Sequence, residues 1–322
     1  MPTIWFERKP PAVVLSMIAG VATELGRLAD SPGDPFSGAA EADAVLAGGM
    51  ALDGATMDRA PRLRIIARNG IGYDNVDVQA ATKRGILVCN APDAPTVSTA
   101  EHAIMLLMAT TKELRIVDHR MRAGQCRDFF SVNNALELAG LRLGLVGMGR
   151  IGARVARFGQ AIDMDVSAYD PALDPARFAE LGVRRVTTLE QLLAESDVVS
   201  LHLPATPETR NLMNATRIDG MKAGAVLINA SRGALIDEDA LLAALKSGHL
   251  RGAGLDVYQV EPPAPDHPLL QLDNVIATPH VASATTVGRL RLWTAAAEQI
   301  LEFFAGRRPK HLINAEVWDA RR

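Results

Sequence analysis

The sequence predicts an α/β protein with a doubly wound parallel sheet in one domain and a smaller α/β domain assembled from both ends of the chain. Three observations carry this expectation. From position 143 onward, short apolar runs alternate with amphipathic helical stretches, a pattern that yields parallel strands. The residues before Pro95 repeat that alternation on a smaller scale. A length of 322 residues exceeds one ordinary core and suits two domains. The expected boundaries put 1–97 and 285–322 in the smaller domain and 98–284 in the larger.

Taken in order, Thr3, Ile4, Trp5 and Phe6 read as an opening strand, and the apolar stretch 12–22 as its helix. That stretch follows Arg8 and Lys9 and superficially imitates a signal peptide, but Glu7 and the Pro10-Pro11 pair disrupt the charged leader such a peptide needs. Residues 43–47 and 63–67 read as further strands. Pro92, Pro95 and residues 96–101 mark a turn into a long helix, 103–111, expected to cross between the domains. Residues 124–140 have weak periodicity and are read as an arm toward a partner subunit. In the larger domain, strands are expected at 143–146, 166–169, 198–201, 226–228, 254–256 and 275–277. Thr187 and Glu190 form a capping box before Leu189, Leu192 and Leu193, while Asp237 caps a helix that ends at Gly248. A helical run over 286–305 is followed by Gly306-Arg307-Arg308-Pro309, and the tail is expected to return to the first domain.

Composition narrows the function classes. A formal net charge of -3 and a pI of about 6.2 supply no basic field for nucleic acid or anionic lipid. Cys89 and Cys126 match no metal-ligand spacing, and both read as inert core thiols in a reducing compartment. No run reaches the ~18–20 apolar residues that span a bilayer. A soluble, cytoplasmic protein with no bound metal is expected.

The chemistry begins at Gly147-Met148-Gly149-Arg150-Ile151-Gly152, which follows an apolar strand and opens a helix carrying Ile151, Val155, Phe158 and Ile162 on one stripe. Gly147 permits the tight turn, Gly149 lets backbone approach a pyrophosphate, and Gly152 lets the helix pack on the strand. Helix-start N–H groups face the anion. Asp170 follows the next strand, where a carboxylate accepts hydrogen bonds from a ribose and repels a 2′-phosphate. A Rossmann-type domain that binds NAD in preference to NADP is the reading.

Three ionisable residues stand where later strands should end, the edge at which open α/β sheets bind ligands. Arg232 presents a planar fork for a substrate carboxylate, His280 can move a proton to or from a carbonyl oxygen, and Glu261 can hold the other imidazole nitrogen. Taken singly, Arg232 and Glu261 read equally as ion-pair partners and His280 as a structural histidine; their joint placement favours hydride chemistry on a 2-oxo acid. Asp237, Glu238 and Asp239 read as helix-start acids. His202 ends a strand and lines an adenine pocket or packs in the core, and His102 has no assigned place.

These motifs, together with Gly70-Ile71-Gly72-Tyr73-Asp74-Asn75-Val76-Asp77, Asn229-Ala230-Ser231-Arg232-Gly233, Gly254-Leu255-Asp256-Val257 with Glu261-Pro262, and Thr278-Pro279-His280, resemble the D-isomer-specific 2-hydroxyacid dehydrogenase family over most of the chain. The resemblance implies a catalytic set of Arg232, Glu261 and His280, and a smaller domain of flavodoxin-like type. It implies that Arg150 and Ile151 meet the pyrophosphate, that Asp170 meets the ribose, and that Leu203, Ala230, Ser231, Arg232, Asp256 and His280 meet other parts of the cofactor. It further implies that backbone at Ile71 and Gly72 receives the substrate carboxylate, that the protein is a homodimer, and that a regulatory domain present in some phosphoglycerate dehydrogenases is missing. Arg68, Lys83 and Arg84 flank the substrate loop and read either as a phosphate site or as solvated charges. A nucleotide-sensing corepressor and a formate- or phosphite-oxidising enzyme remain the alternatives on this scaffold.

Overall fold

The computed structural model describes every residue except Leu28, Asp30, Pro32, Cys126 and Arg322, and the side chain of Phe129. Cys126 therefore lies outside the described residues. The chain divides into two units, Met1–Pro95 with Ala284–Arg322, and Thr96–Ser283.

The smaller unit is built on β1 (Thr3–Phe6), β2 (Thr23–Gly26), β3 (Ala44–Ala47), β4 (Ile65–Arg68) and β5 (Leu87–Cys89). They pair in parallel in the order β2-β1-β3-β4-β5, the flavodoxin-like order. Strand side chains alternate between faces, so Ile4, Phe6, Ala44, Leu46, Ile65, Ala67, Leu87 and Cys89 fill one core while Trp5, Val45, Ala47, Ile66 and Val88 fill the other. Both faces are buried, which is why these strands read as continuous apolar runs. Helices Ala12–Ile18 and Thr286–Phe304 cover the first face with Val14, Ile18, Ala296, Ala297, Ile300 and Phe303. Burial pushes the Cys89 thiol up to about 12, so it stays an inert core group.

The last segment is fastened to β5 by backbone bonds, Ile313 N to Val88 O at 2.8 Å and Asn90 N to His311 O at 3.2 Å, and by the side chain of Asn314. Asn314, 1% exposed, accepts from Val88 N at 2.8 Å and donates to Ile86 O and Thr82 Oγ1 at 2.9 Å each.

The larger unit holds β6 (Arg142–Val146), β7 (Asp165–Tyr169), β8 (Arg184–Arg185), β9 (Val198–Leu201), β10 (Ala225–Asn229), β11 (Leu250–Leu255) and β12 (Val275–Ala277). Their order is β12-β11-β10-β9-β6-β7-β8, all parallel, with β6 the first strand and the reversal beside it. Register decides what meets at the carboxyl edge. Val146 pairs with Tyr169 on one side and Leu201 on the other, and Asn229 pairs with Leu201 and Leu255. The residues following β6, β7, β9, β10 and β11 therefore emerge side by side.

Three expectations shift. The long helix spans Thr96–Thr111 and belongs wholly to the larger unit instead of crossing between domains. Glycines in β11 admit it: a Cβ on Gly252 would stand 2.9 Å from Thr110 Cγ2, and one on Gly254 2.9 Å from Leu106 Cβ. The cap before Leu189 is Thr188, whose side chain accepts from Gln191 N, instead of Thr187. β2 and β8 escape the apolar pattern because they are largely exposed edge strands. Asp237 caps its helix as expected, accepting from Ala240 N, and Gly248 ends it at φ 76°.

All three tryptophans, Trp5, Trp293 and Trp318, lie in the smaller unit, so tryptophan fluorescence, excited selectively over tyrosine, originates in that unit. Replacing Asn314 by Ala leaves Val88 N–H and Ile86 C=O unsatisfied in the core. The expected loss is about 2–3 kcal/mol in the fluorescence-detected urea transition; an unchanged midpoint would remove Asn314 as the clasp.

Candidate functional site

The glycine loop sits between β6 and the helix Arg150–Ala161. Gly147 has φ 93°, and a Cβ there would stand 2.4 Å from His202 O, so only glycine fits. A Cβ on Gly152 would stand 2.2 Å from Gly147 O, whereas one on Gly149 meets nothing within 4 Å. The loop is thus packed from beneath and open above Gly149. No side chain caps this helix and no acid occupies its first turn, which leaves the positive end of the dipole for an anion. Asp170, just past β7, accepts from Met148 N at 2.9 Å and Ala172 N at 3.0 Å. Its carboxylate is thereby held against the loop. Leu203 lies beside Gly147, Ala230 is buried, and Ser231 donates to Leu201 O at 2.6 Å. The residues fit a dinucleotide: glycines where backbone must approach phosphate, and a fixed carboxylate at the ribose position.

His202 supports this loop from below. Its Nε2 lies 2.9 Å from Ser200 Oγ, and its Nδ1 is buried without a hydrogen-bond partner among the described residues. Burial pushes its pKa down to about 4, so the ring is neutral and acts as packing.

Arg232, Glu261 and His280 come together at the carboxyl ends of β10, β11 and β12. His280 Nδ1 lies 2.7 Å from Glu261 Oε2. A carboxylate only accepts, so the Nδ1 proton is directed at Glu261 and Nε2 is left for proton exchange with a ligand. Burial alone would raise the Glu261 carboxyl, but the hydrogen bonds from His280 and Tyr258 N–H, with the charges of His280 and Arg232, outweigh it and hold it below its ordinary value. Arg232 follows β10 in extended backbone, φ -146°, and donates Nη1 to Ser231 O.

The segment bearing His280 hangs from Asp256. This residue has no exposed surface; Oδ1 accepts from Thr278 Oγ1 at 2.6 Å and Val281 N at 2.9 Å, and Oδ2 from Ala282 N at 2.8 Å. Its backbone carbonyl accepts from His280 N at 2.7 Å. Because Thr278 spends its proton on Asp256, its oxygen accepts from His102 Nε2 at 2.9 Å, which places the His102 proton on that nitrogen. Burial would raise the Asp256 carboxyl, yet His102, Thr278 and the two N–H donors hold it low and ionised. His280 itself sits at φ 52°, a left-handed conformation costing a non-glycine residue about 1–3 kcal/mol unless its surroundings impose it. Asp256 imposes it. The carboxylate thus anchors the His280 segment. His102 and Thr278, unassigned by sequence reasoning, belong to the same anchor. A carboxylate ending an apolar strand was the available signal, since burial there demands donors.

In the smaller unit, the loop after β4 is held by its carbonyls. Gly70 O accepts from Ala91 N, Ile71 O from Asn90 Nδ2 at 2.7 Å, and Gly72 O from Arg68 Nε at 2.9 Å. In a trans peptide the N–H points away from the carbonyl, so each tied carbonyl turns the N–H that follows it, of Ile71, Gly72 and Tyr73, away from that donor. Arg68 also donates to Ala47 O, while Arg84 grips Asp58 through two bonds of 2.7 and 2.8 Å. Both arginines thus bond within the smaller unit.

Residues 104–282 match the family model described as D-isomer specific 2-hydroxyacid dehydrogenase, NAD binding domain. The chain belongs to that family. Over 265 residues it is 41% identical to the D-3-phosphoglycerate dehydrogenase of Archaeoglobus fulgidus, covering 82% of this chain and 49% of that protein. Over 268 residues it is 44% identical to the glyoxylate reductase of Korarchaeum cryptofilum, covering 83% of this chain and 80% of that one. It thus spans about half the length of the phosphoglycerate dehydrogenases it matches. The crystal structure of the Aquifex aeolicus D-lactate dehydrogenase with NAD and lactic acid superposes with a TM-score of 0.85 at 30% identity, covering 97% of this chain and 98% of that one. The glycine loop accordingly lies in the family's NAD-binding domain. No described helix is long and apolar enough to cross a membrane, and no described group of three His, Cys, Asp or Glu residues is placed to hold a metal ion.

His202 yields a pH prediction. Its folded pKa of about 4 lies below the ordinary 6.5, so unfolding takes up a proton between those values, and stability falls as pH drops through that window. The thermal midpoint of His202→Gln should decline less steeply than wild type from pH 6.5 to 4. Parallel slopes would show that His202 does not titrate on unfolding.

Proposed function

We propose that this chain is an NAD-dependent oxidoreductase interconverting a 2-oxo acid and a D-2-hydroxy acid. The observation that carries the reading is the 2.7 Å contact of His280 Nδ1 with Glu261 at the edge where the glycine loop also opens. When bound, the nicotinamide supplies or takes the hydride. Arg232 pairs with the substrate carboxylate and draws density from the adjoining carbonyl. His280 Nε2 gives its proton to the carbonyl oxygen in reduction and takes it back in oxidation. Glu261, kept ionised, steadies the imidazolium and fixes the ring. The N–H groups of Ile71, Gly72 and Tyr73 are offered to the same substrate carboxylate, a role that rests on the family resemblance and on the way their carbonyls are tied. Asp170, fixed by two backbone donors, repels a 2′-phosphate and favours NAD.

A homodimer is part of this reading. Large apolar side chains are exposed between positions 105 and 132, among them Leu114, Met121, Val132 and Phe130, the last 99% exposed. A second copy of this chain is the partner proposed for them. Light scattering should give a mass near twice 34.4 kDa, and Phe130→Glu should shift it toward the monomer; a wild-type monomer would end the idea.

With NADH and glyoxylate or hydroxypyruvate, His280→Ala is expected to lower kcat by about 10²- to 10⁴-fold while NADH binding changes little. Near-normal turnover would remove His280 from the proton path. Arg232→Lys should cost about 100-fold in kcat/KM through loss of the two-point carboxylate grip; an unchanged value contradicts that contact.

A further inference from the structure

Two loops of the smaller unit are zipped together at the carboxyl edge of its sheet. Asn69 N donates to Ala47 O, Leu52 N to Asn75 O, and Asp77 N to Leu52 O, all at 2.8–2.9 Å, while Asn75 Nδ2 reaches Gly48 O and Met50 O. The loop that carries Ile71–Tyr73 therefore lies beside residues 48–50.

Those residues already hold an anion. Glu7, one residue past β1 and 7% exposed, accepts Gly48 N at 2.5 Å through Oε2 and Gly49 N at 3.1 Å through Oε1, with Met50 N 3.3 Å from both oxygens. Three successive N–H groups converging on one point form an anion nest, and the chain fills it with its own carboxylate. A Cβ at position 48 would lie 2.9 Å from Glu7 Oε2, so glycine there lets the carboxylate close on the backbone. The arginines that flank these loops bond elsewhere: Arg68 to the carbonyls of Gly72 and Ala47, Arg84 to Asp58 and Ala80 O. Arg8, Lys9 and Lys83 are exposed to solvent.

We infer that Glu7 is a specificity-determining residue: it occupies the anion position of the substrate loops, so the acid reduced here is a short 2-oxo monocarboxylate bearing neither a phosphate nor a second carboxylate. The inference rests on the 2-oxo acid reading of the site. The N–H groups at 71–73 accept the one carboxylate every such substrate has. A second anionic group beside these loops would lie against Glu7, whose carboxylate already takes the N–H groups of residues 48–50, and like-charge juxtaposition of that kind costs strongly in binding.

Hydroxypyruvate and 3-phosphohydroxypyruvate differ only by the phosphoryl group and provide the test with NADH. Wild type should favour the unphosphorylated acid by about 100-fold or more in kcat/KM. Glu7→Gln, which removes the charge at constant size, should narrow that ratio by about tenfold, mainly through the KM of the phosphorylated acid. Comparable wild-type values for the two acids overturn the inference, as does a folded Glu7→Gln protein with an unchanged ratio. Should that variant not fold, calorimetric titration of NADH-loaded wild type with glycerate and 3-phosphoglycerate decides: tighter binding of the phosphorylated acid overturns the proposal, weaker binding supports it. Absence of turnover on either acid strikes the proposed reaction instead, and the titration still judges the exclusion of phosphate.

Discussion

A carboxylate taken wholly out of water must be met by donors, and at the end of β11 that requirement organises the rest of the site. Asp256 gathers Thr278 Oγ1 and the N–H groups of Val281 and Ala282, and its own carbonyl takes His280 N. With these bonds satisfied, residues 278–282 have one course to follow, and His280 is delivered in a left-handed conformation it would not choose alone. Glu261 then needs only to orient a ring whose position is already set. The ionised state of Asp256 and the placement of His280 are one constraint seen from two sides.

The same logic of occupied backbone groups recurs in the smaller unit, with the opposite polarity. There, a side-chain amide and a guanidinium consume carbonyls at Ile71 and Gly72, and Glu7 consumes N–H groups at Gly48, Gly49 and Met50. One loop is left donating and its neighbour is neutralised. Selectivity in such an arrangement comes from which backbone dipoles remain available, more than from any cationic side chain.

The parts of this architecture legible in the sequence are those that depend on local pattern. Buried parallel strands read as apolar runs, the glycine spacing reports close approach of backbone to backbone, and Arg232, Glu261 and His280 follow strands whose ends are recognisable. Edge strands such as Thr23–Gly26 and Arg184–Arg185 carry no apolar signature because solvent covers them. Arg68 and Arg84 show a different limit. Their charge is visible in the sequence, but whether it is offered to a ligand depends on Asp58, Gly72 and Ala47, which only folding brings near. Glu7 looks from sequence like a disturbance in a basic, apolar leader. Its meaning depends on Gly48, forty-one positions away.

Asn314 and the helix Thr286–Phe304 complete a core that begins with β1, so the smaller unit is sewn from two segments far apart in sequence while the larger one is a single uninterrupted stretch. On the ribosome this imposes an order. The first ninety-five residues emerge with one face of their sheet lacking Ala296, Ala297, Ile300 and Phe303, and must wait through the synthesis of 96–283 before that face is covered. The nucleotide-binding unit meanwhile has everything its own core needs and can mature first. Nascent chains of this design carry an unfinished apolar surface while residues 96–283 are being made, which exposes the smaller unit to chaperones and to aggregation when translation stalls.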